Sequence, residues 1–78
     1  MNELLKNLDK LKTTKLGEER IRKNLNIEIN DVIDWCKQRI MNPQAEIYLK
    51  GKNWYAEVNK CIITVNASTY TIITVHKV

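Results

Sequence analysis

Residues 45–78 read AEIYLKGKNWYAEVNKCIITVNASTYTIITVHKV, and this stretch decides the fold. From Ala45 onward apolar residues recur at every second position, the period of a strand with one buried face. Strands are expected at roughly 45–50, 53–58, 61–66 and 69–77. The joints between them, Gly51-Lys52, Asn59-Lys60 and Ala67-Ser68, are two residues each. Gly-X suits a type II′ turn and Asn-X supports type I′, whereas Ala67-Ser68 carries no turn signature. Links this short cannot make a parallel crossover, so the sheet is antiparallel.

Two-residue turns set the register, and register sorts side chains between faces. One face then holds Ala45, Ile47, Leu49, Trp54, Ala56, Val58, Cys61, Ile63, Val65, Tyr70, Ile72, Thr74 and His76. It is almost wholly apolar and is where helices should pack. The opposite, open face holds Glu46, Tyr48, Lys50, Asn53, Tyr55, Glu57, Ile62, Thr64, Asn66, Thr69, Thr71, Ile73, Val75 and Lys77.

Residues 1–42 keep helical spacing instead. Leu4, Leu5, Leu8 and Leu11 mark a first helix, with Asn2 as its cap and Glu3 in its first turn. Thr13 or Thr14 caps a second, with Leu16, Ile21 and Leu25 inward and Glu18–Arg22 and Glu19–Lys23 as i,i+4 pairs on the wet side. Asn30 caps a third, whose buried stripe is Val32, Ile33, Cys36 and Ile40, with Trp35 and Arg39 at its margins. Asn42-Pro43 ends it, because the residue before proline is steered out of the helical region. Residues 26–29 fit either a helical extension or a linker. The expected fold is α+β: one domain over residues 1–78, two to three N-terminal helices packed on one face of a four-stranded antiparallel β-meander.

Seventy-eight residues suffice for one small core. No apolar run reaches the ~20 residues needed to span a bilayer, and MNELLKNLDK lacks the apolar core of a signal peptide. The chain therefore reads as cytoplasmic. Cys36 and Cys61 fit neither a CxxC nor a zinc spacing and read as small buried hydrophobes rather than a disulfide. The net charge of +4 is spread: nine Lys and Arg against seven Asp and Glu in residues 1–42, four against two in residues 43–78. That balance permits an anionic partner without demanding one.

On the open face Tyr48, Lys50, Asn53 and Tyr55 bring two rings, a cation and an amide together, with Lys52 in the adjoining turn and Lys77 at the far end. Rings of this kind stack on bases or pack against a protein, and lysines hold phosphate. Thr64 and Thr71 add hydroxyls. Ile62, Ile73 and Val75 form an apolar patch suited to a partner or to a homodimer. His76 is the only side chain that ordinarily titrates near neutrality and is the one candidate catalytic residue, although its expected place is the rim of the helix-packed face. No second histidine, phosphate loop or metal-binding pattern accompanies it, no carboxylate pair is assigned to the open face, and no cofactor is expected.

The segments RIRKNLNI, DVIDWCK, KGKNWYAEV and ITVNASTYTIITVHK resemble a family of small bacterial proteins known only as a domain of unknown function. The resemblance runs the length of the chain from Met1 and implies a stand-alone bacterial or phage protein, with Val75 where the family usually has alanine. It transfers no activity. Helices followed by an antiparallel sheet that ends in TVH also resemble, at the level of fold, the barnase, colicin and RelE-type ribonucleases. Residues 43–78 depart from that pattern in having no arginine. Two functions follow as expectations. The first is a binding or regulatory protein whose open face engages a protein or nucleoprotein partner, for instance a phage-encoded inhibitor of a host defence complex. The second is a metal-independent ribonuclease or RNA-binding toxin of a toxin–antitoxin system.

Overall fold

The computed structural model describes residues 3–26 and 28–78. The order is α1 (Glu3–Lys6), a 3-10 turn (Leu8–Lys10), α2 (Lys15–Leu25), α3 (Val32–Ile40), β1 (Glu46–Lys50), β2 (Asn53–Val58), β3 (Cys61–Asn66) and β4 (Ile72–Lys77). The strands form one antiparallel meander in the order β1-β2-β3-β4.

The first helix is shorter than its leucine spacing suggests. The Asn7 side chain donates to the Glu3 carbonyl at 2.8 Å, taking an acceptor that the helical ladder would use, and the chain tightens into the 3-10 turn. Leu4 and Leu11 are buried all the same. The expected Asn2 cap lies outside the described residues. Thr14 caps α2 by accepting from the Gly17 amide at 3.0 Å, and Asn26 closes it in the left-handed conformation.

Leu16 does not face inward: it is 71% exposed, and Gly17 takes the buried position beside β4. A Cβ on Gly17 would lie 2.6 Å from the Thr13 hydroxyl, so the close approach requires glycine. Residues 28–30 form a linker, held to α2 by Arg22, which donates to the carbonyls of Ile29 (2.8 Å) and Asn30 (3.3 Å). Arg22 also pairs with Glu18 at 3.5 Å. Asp31, one residue later than expected, caps α3 by accepting from the Asp34 amide. Val32, Cys36 and Ile40 are its buried stripe.

The first two turns match their sequences. Gly51 alone has positive φ in its turn, as type II′ requires, and Asn59 and Lys60 both do, as type I′ requires. The third connection differs. It spans four residues, closed by the Asn66 amide donating to the Thr71 carbonyl (2.9 Å) and the Tyr70 amide to the Asn66 carbonyl (2.8 Å), with Tyr70 at φ 57°. The Asn66 side-chain oxygen organises it, accepting from the amides of Ser68 (2.9 Å) and Thr69 (3.0 Å).

A β-bulge then shifts the β3–β4 register. Val65 pairs with Ile72, but Thr64 pairs with Thr74, leaving Ile73 as the extra residue. From Thr74 onward every side chain changes face. Val75 moves into the core beside Ile63, and both are fully buried. Burying Ile72 and Val75 together, each an apolar side chain worth roughly 1.5–3 kcal/mol, outweighs one disrupted ladder position.

The core thus joins Leu4, Ile21, Leu25, Val32, Cys36 and Ile40 from the helices to Ala56, Ile63, Val65, Ile72 and Val75 from the sheet. The outer edge of β4 is covered. Lys12 bridges to it by accepting from the Ile72 amide and donating to the Tyr70 carbonyl, and Asn24 of α2 donates to the Val75 carbonyl and the Thr74 hydroxyl. No helix among the described residues is long and apolar enough to cross a membrane.

Candidate functional site

The register arranges the open face in three transverse rows. The first is Glu46, Glu57, Ile62 and His76; the second is Tyr48, Tyr55, Thr64 and Thr74; the third is Lys50, Asn53 and Asn66, with Thr71 at the loop end. Neighbours within a row are one strand spacing apart, about 4.8 Å.

The centre of the face is a ring pair. Tyr48 and Tyr55 stack with centroids 5.4 Å apart and planes inclined by 18°. The hydroxyl of Tyr48 approaches the Glu57 carboxylate at 3.5 Å. Its pKa is raised from the usual phenol value, first by partial desolvation and then by the Glu57 charge it approaches. Tyr48 is 41% exposed and therefore available to a partner. Lys50 is exposed at the end of β1 opposite Asn53, and Lys52 is exposed in the turn. Among the described residues nothing hydrogen-bonds the buried side-chain oxygen of Asn53.

Tyr48, Tyr55, Lys50 and Asn53 are therefore brought together as the two-residue turn predicts, with Lys52 beside them. Five other assignments change. Val75 is not part of an exposed patch, because the bulge turns it into the core. That leaves Ile62, half-buried between Glu57 and His76, and Ile73, 39% exposed at the bulge. The same shift moves His76 from the expected core rim to the open face, where it is exposed. Lys77 moves the other way, opposite Cys61 on the helix-packed side, although it remains exposed at the sheet's end. Thr64 lies on the open face but is buried between Tyr55 and Thr74, so its hydroxyl is not presented to a ligand. Thr71 is half-buried and its hydroxyl is 2.8 Å from that of Thr69, so it serves the loop.

Two functional candidates were passed over in the sequence reading. Glu46 and Glu57 sit directly opposite each other and form a carboxylate pair on the open face. The alternation of β1 and β2 contains this pairing once the Gly51-Lys52 turn is accepted. Among the described residues no cluster of three or more His, Cys, Asp or Glu side chains could hold a metal ion.

Residues 5–76 match the model of a family described as "Protein of unknown function (DUF3781)". The chain belongs to the DUF3781 family. The matched segment of this DUF3781 chain contains α2, α3 and β1 to β3 whole and β4 through His76. The resemblance carried by the GKNWY and ITVN…HK segments thus holds. No curated protein and no solved structure matches the chain.

Proposed function

We propose that the chain is a small binding protein that engages a protein partner through its open sheet face. The observation that carries this reading is the Tyr48–Tyr55 stack, which no helix among the described residues covers and which two carboxylates border. Tyrosines supply large, rigid contact area at low entropic cost. The paired Glu46 and Glu57 favour a partner that places arginine or lysine over the rings, where a cation gains both ring and carboxylate contacts. A basic segment of a regulatory or nucleoprotein complex has this chemistry, as would the target of a phage-encoded inhibitor. The same carboxylates repel phosphate, which ranks nucleic acid below protein. The test is capture of partners from host extract, followed by reconstitution with the purified candidate. Tyr48→Ala with Tyr55→Ala, and separately Glu57→Lys, should each weaken the reconstituted complex about tenfold or more. Unchanged affinity in both variants would refute the proposal.

The exposed His76 favours a second reading, a metal-independent ribonuclease. It shares a row with Glu57, two strand spacings or about 10 Å away. In that reading one of the two takes the proton of a ribose 2′-hydroxyl as its oxygen bonds to the adjacent phosphorus, and the other gives a proton to the 5′-oxygen of the next nucleotide as its bond to phosphorus breaks. Cleavage of labelled RNA by the purified chain in EDTA, abolished by His76→Ala, supports it; intact RNA at high protein concentration rejects it.

A further inference from the structure

The two edges of the sheet are treated differently by the rest of the chain. The β4 edge is covered by Lys12 and Asn24. At β1 the two-residue turn makes Lys50–Asn53 a hydrogen-bonded pair, and with it Tyr48–Tyr55 and Glu46–Glu57. Ile47 and Leu49 therefore point their amides and carbonyls away from β2. Among the described residues nothing bonds to them. Leu49 is 55% exposed.

The five residues of β1, Glu46-Ile47-Tyr48-Leu49-Lys50, are complementary to themselves when reversed. An antiparallel pairing about a two-fold axis at Tyr48 sets Ile47 against Leu49 of a second copy and Leu49 against its Ile47. Both are the outward-pointing positions, so each pair exchanges two backbone hydrogen bonds, four in all. On the open face Glu46 meets Lys50 of the second copy, twice over. Within one chain Glu46 faces Glu57, a like-charge pairing that is unfavourable in a sheet. Among the described residues neither Glu46 nor Lys50 has an ion-pair partner. The second copy's lysine supplies one. Tyr48 meets Tyr48, extending the ring stack to four tyrosines.

We propose that β1 pairs with β1 of a second copy of this chain, joining two meanders into one eight-stranded sheet. The partner is identified by charge: a shifted register or a parallel pairing loses the two Glu46–Lys50 contacts. Five residues a side make a small interface, so the dimer is weak and concentration-dependent. Pairing at the edge leaves the Tyr55 and Glu57 side of the open face uncovered, and this inference does not rest on the partner proposed above.

The test is analytical ultracentrifugation of the full chain over a wide concentration range, with charge-swap variants. Lys50→Glu and Glu46→Lys should each raise the dimer dissociation constant on the order of tenfold, and the double variant should restore it, because opposite charges again meet. Leu49→Pro removes an outward amide that the monomer does not use and should abolish the dimer while leaving circular dichroism unchanged. A wild-type chain that stays monomeric up to ~1 mM overturns the proposal. So does a dimer indifferent to Leu49→Pro, or one that the double charge swap fails to restore.

Discussion

The bulge in β4 makes a prediction that separates two registers by a pair of adjacent side chains. With the bulge, Val75 is fully buried against Ile63, and His76 is exposed opposite Ile62. Without it the two would change places. Val75→Ala removes two buried carbons, a transfer loss of roughly 1.6 kcal/mol at about 0.8 per carbon. The cavity left behind adds to that, for a total of about 2–3 kcal/mol. In a domain this small such a loss lowers the melting temperature by about 10–20 °C. His76→Ala should stay within ~0.5 kcal/mol, the ordinary effect of a surface substitution. Thermal and urea denaturation of the two variants, followed by circular dichroism, measures both. Diethyl pyrocarbonate should also modify His76 in the folded protein. A neutral Val75→Ala together with a His76→Ala that costs more than ~1.5 kcal/mol would refute the bulged register and return the histidine to the core side.

Three further outcomes follow from the geometry. Gly51 holds φ 63° in open space, so Gly51→Ala meets no neighbour yet should cost about 1 kcal/mol in urea titration through backbone strain alone. Asn66→Ala removes the acceptor that gathers the amides of Ser68 and Thr69 and should cost about 1 kcal/mol by the same assay, with Asn66→Asp retaining most of the stability. Burial pushes the Cys36 thiol from 9.0 up to about 12, with Arg39 opposing. The unfolded chain therefore releases this proton first, and stability present below pH 9 falls as pH rises toward 12, by up to about 4 kcal/mol. Cys36→Ala should flatten that alkaline slope relative to the wild type, and in the native protein a thiol reagent should label half-exposed Cys61 but not Cys36.

The candidate site was legible where local chemistry sets geometry. Gly51 and Asn59 each permit positive φ at no great cost, so the first two turns and the pairing of β1 with β2 and β2 with β3 could be read directly. That placed Tyr48, Lys50, Asn53 and Tyr55 together. The carboxylate pair followed from the same register and was missed because charged residues on a wet strand face carry no signal of their own. Leu16 was misplaced because helical spacing alone does not reveal which residue α2 turns inward; Gly17 takes that place, where a Cβ would crowd the Thr13 hydroxyl.

By itself the sequence determined the α+β class, the order of elements, the antiparallel meander and the two faces of β1 to β3. These depend on periodicity and on turn residues, which act over a few positions. Tertiary structure alone decided the face on which β4 presents Val75, His76 and Lys77. Alternation from Ile72 would put Thr74 and His76 in the core, and no residue between Ile72 and Val75 announces a bulge. The choice arises because α2 and β3 together enclose a space that Ile72 and Val75 fill better than threonine and histidine would, and burying apolar surface outweighs one interrupted ladder bond.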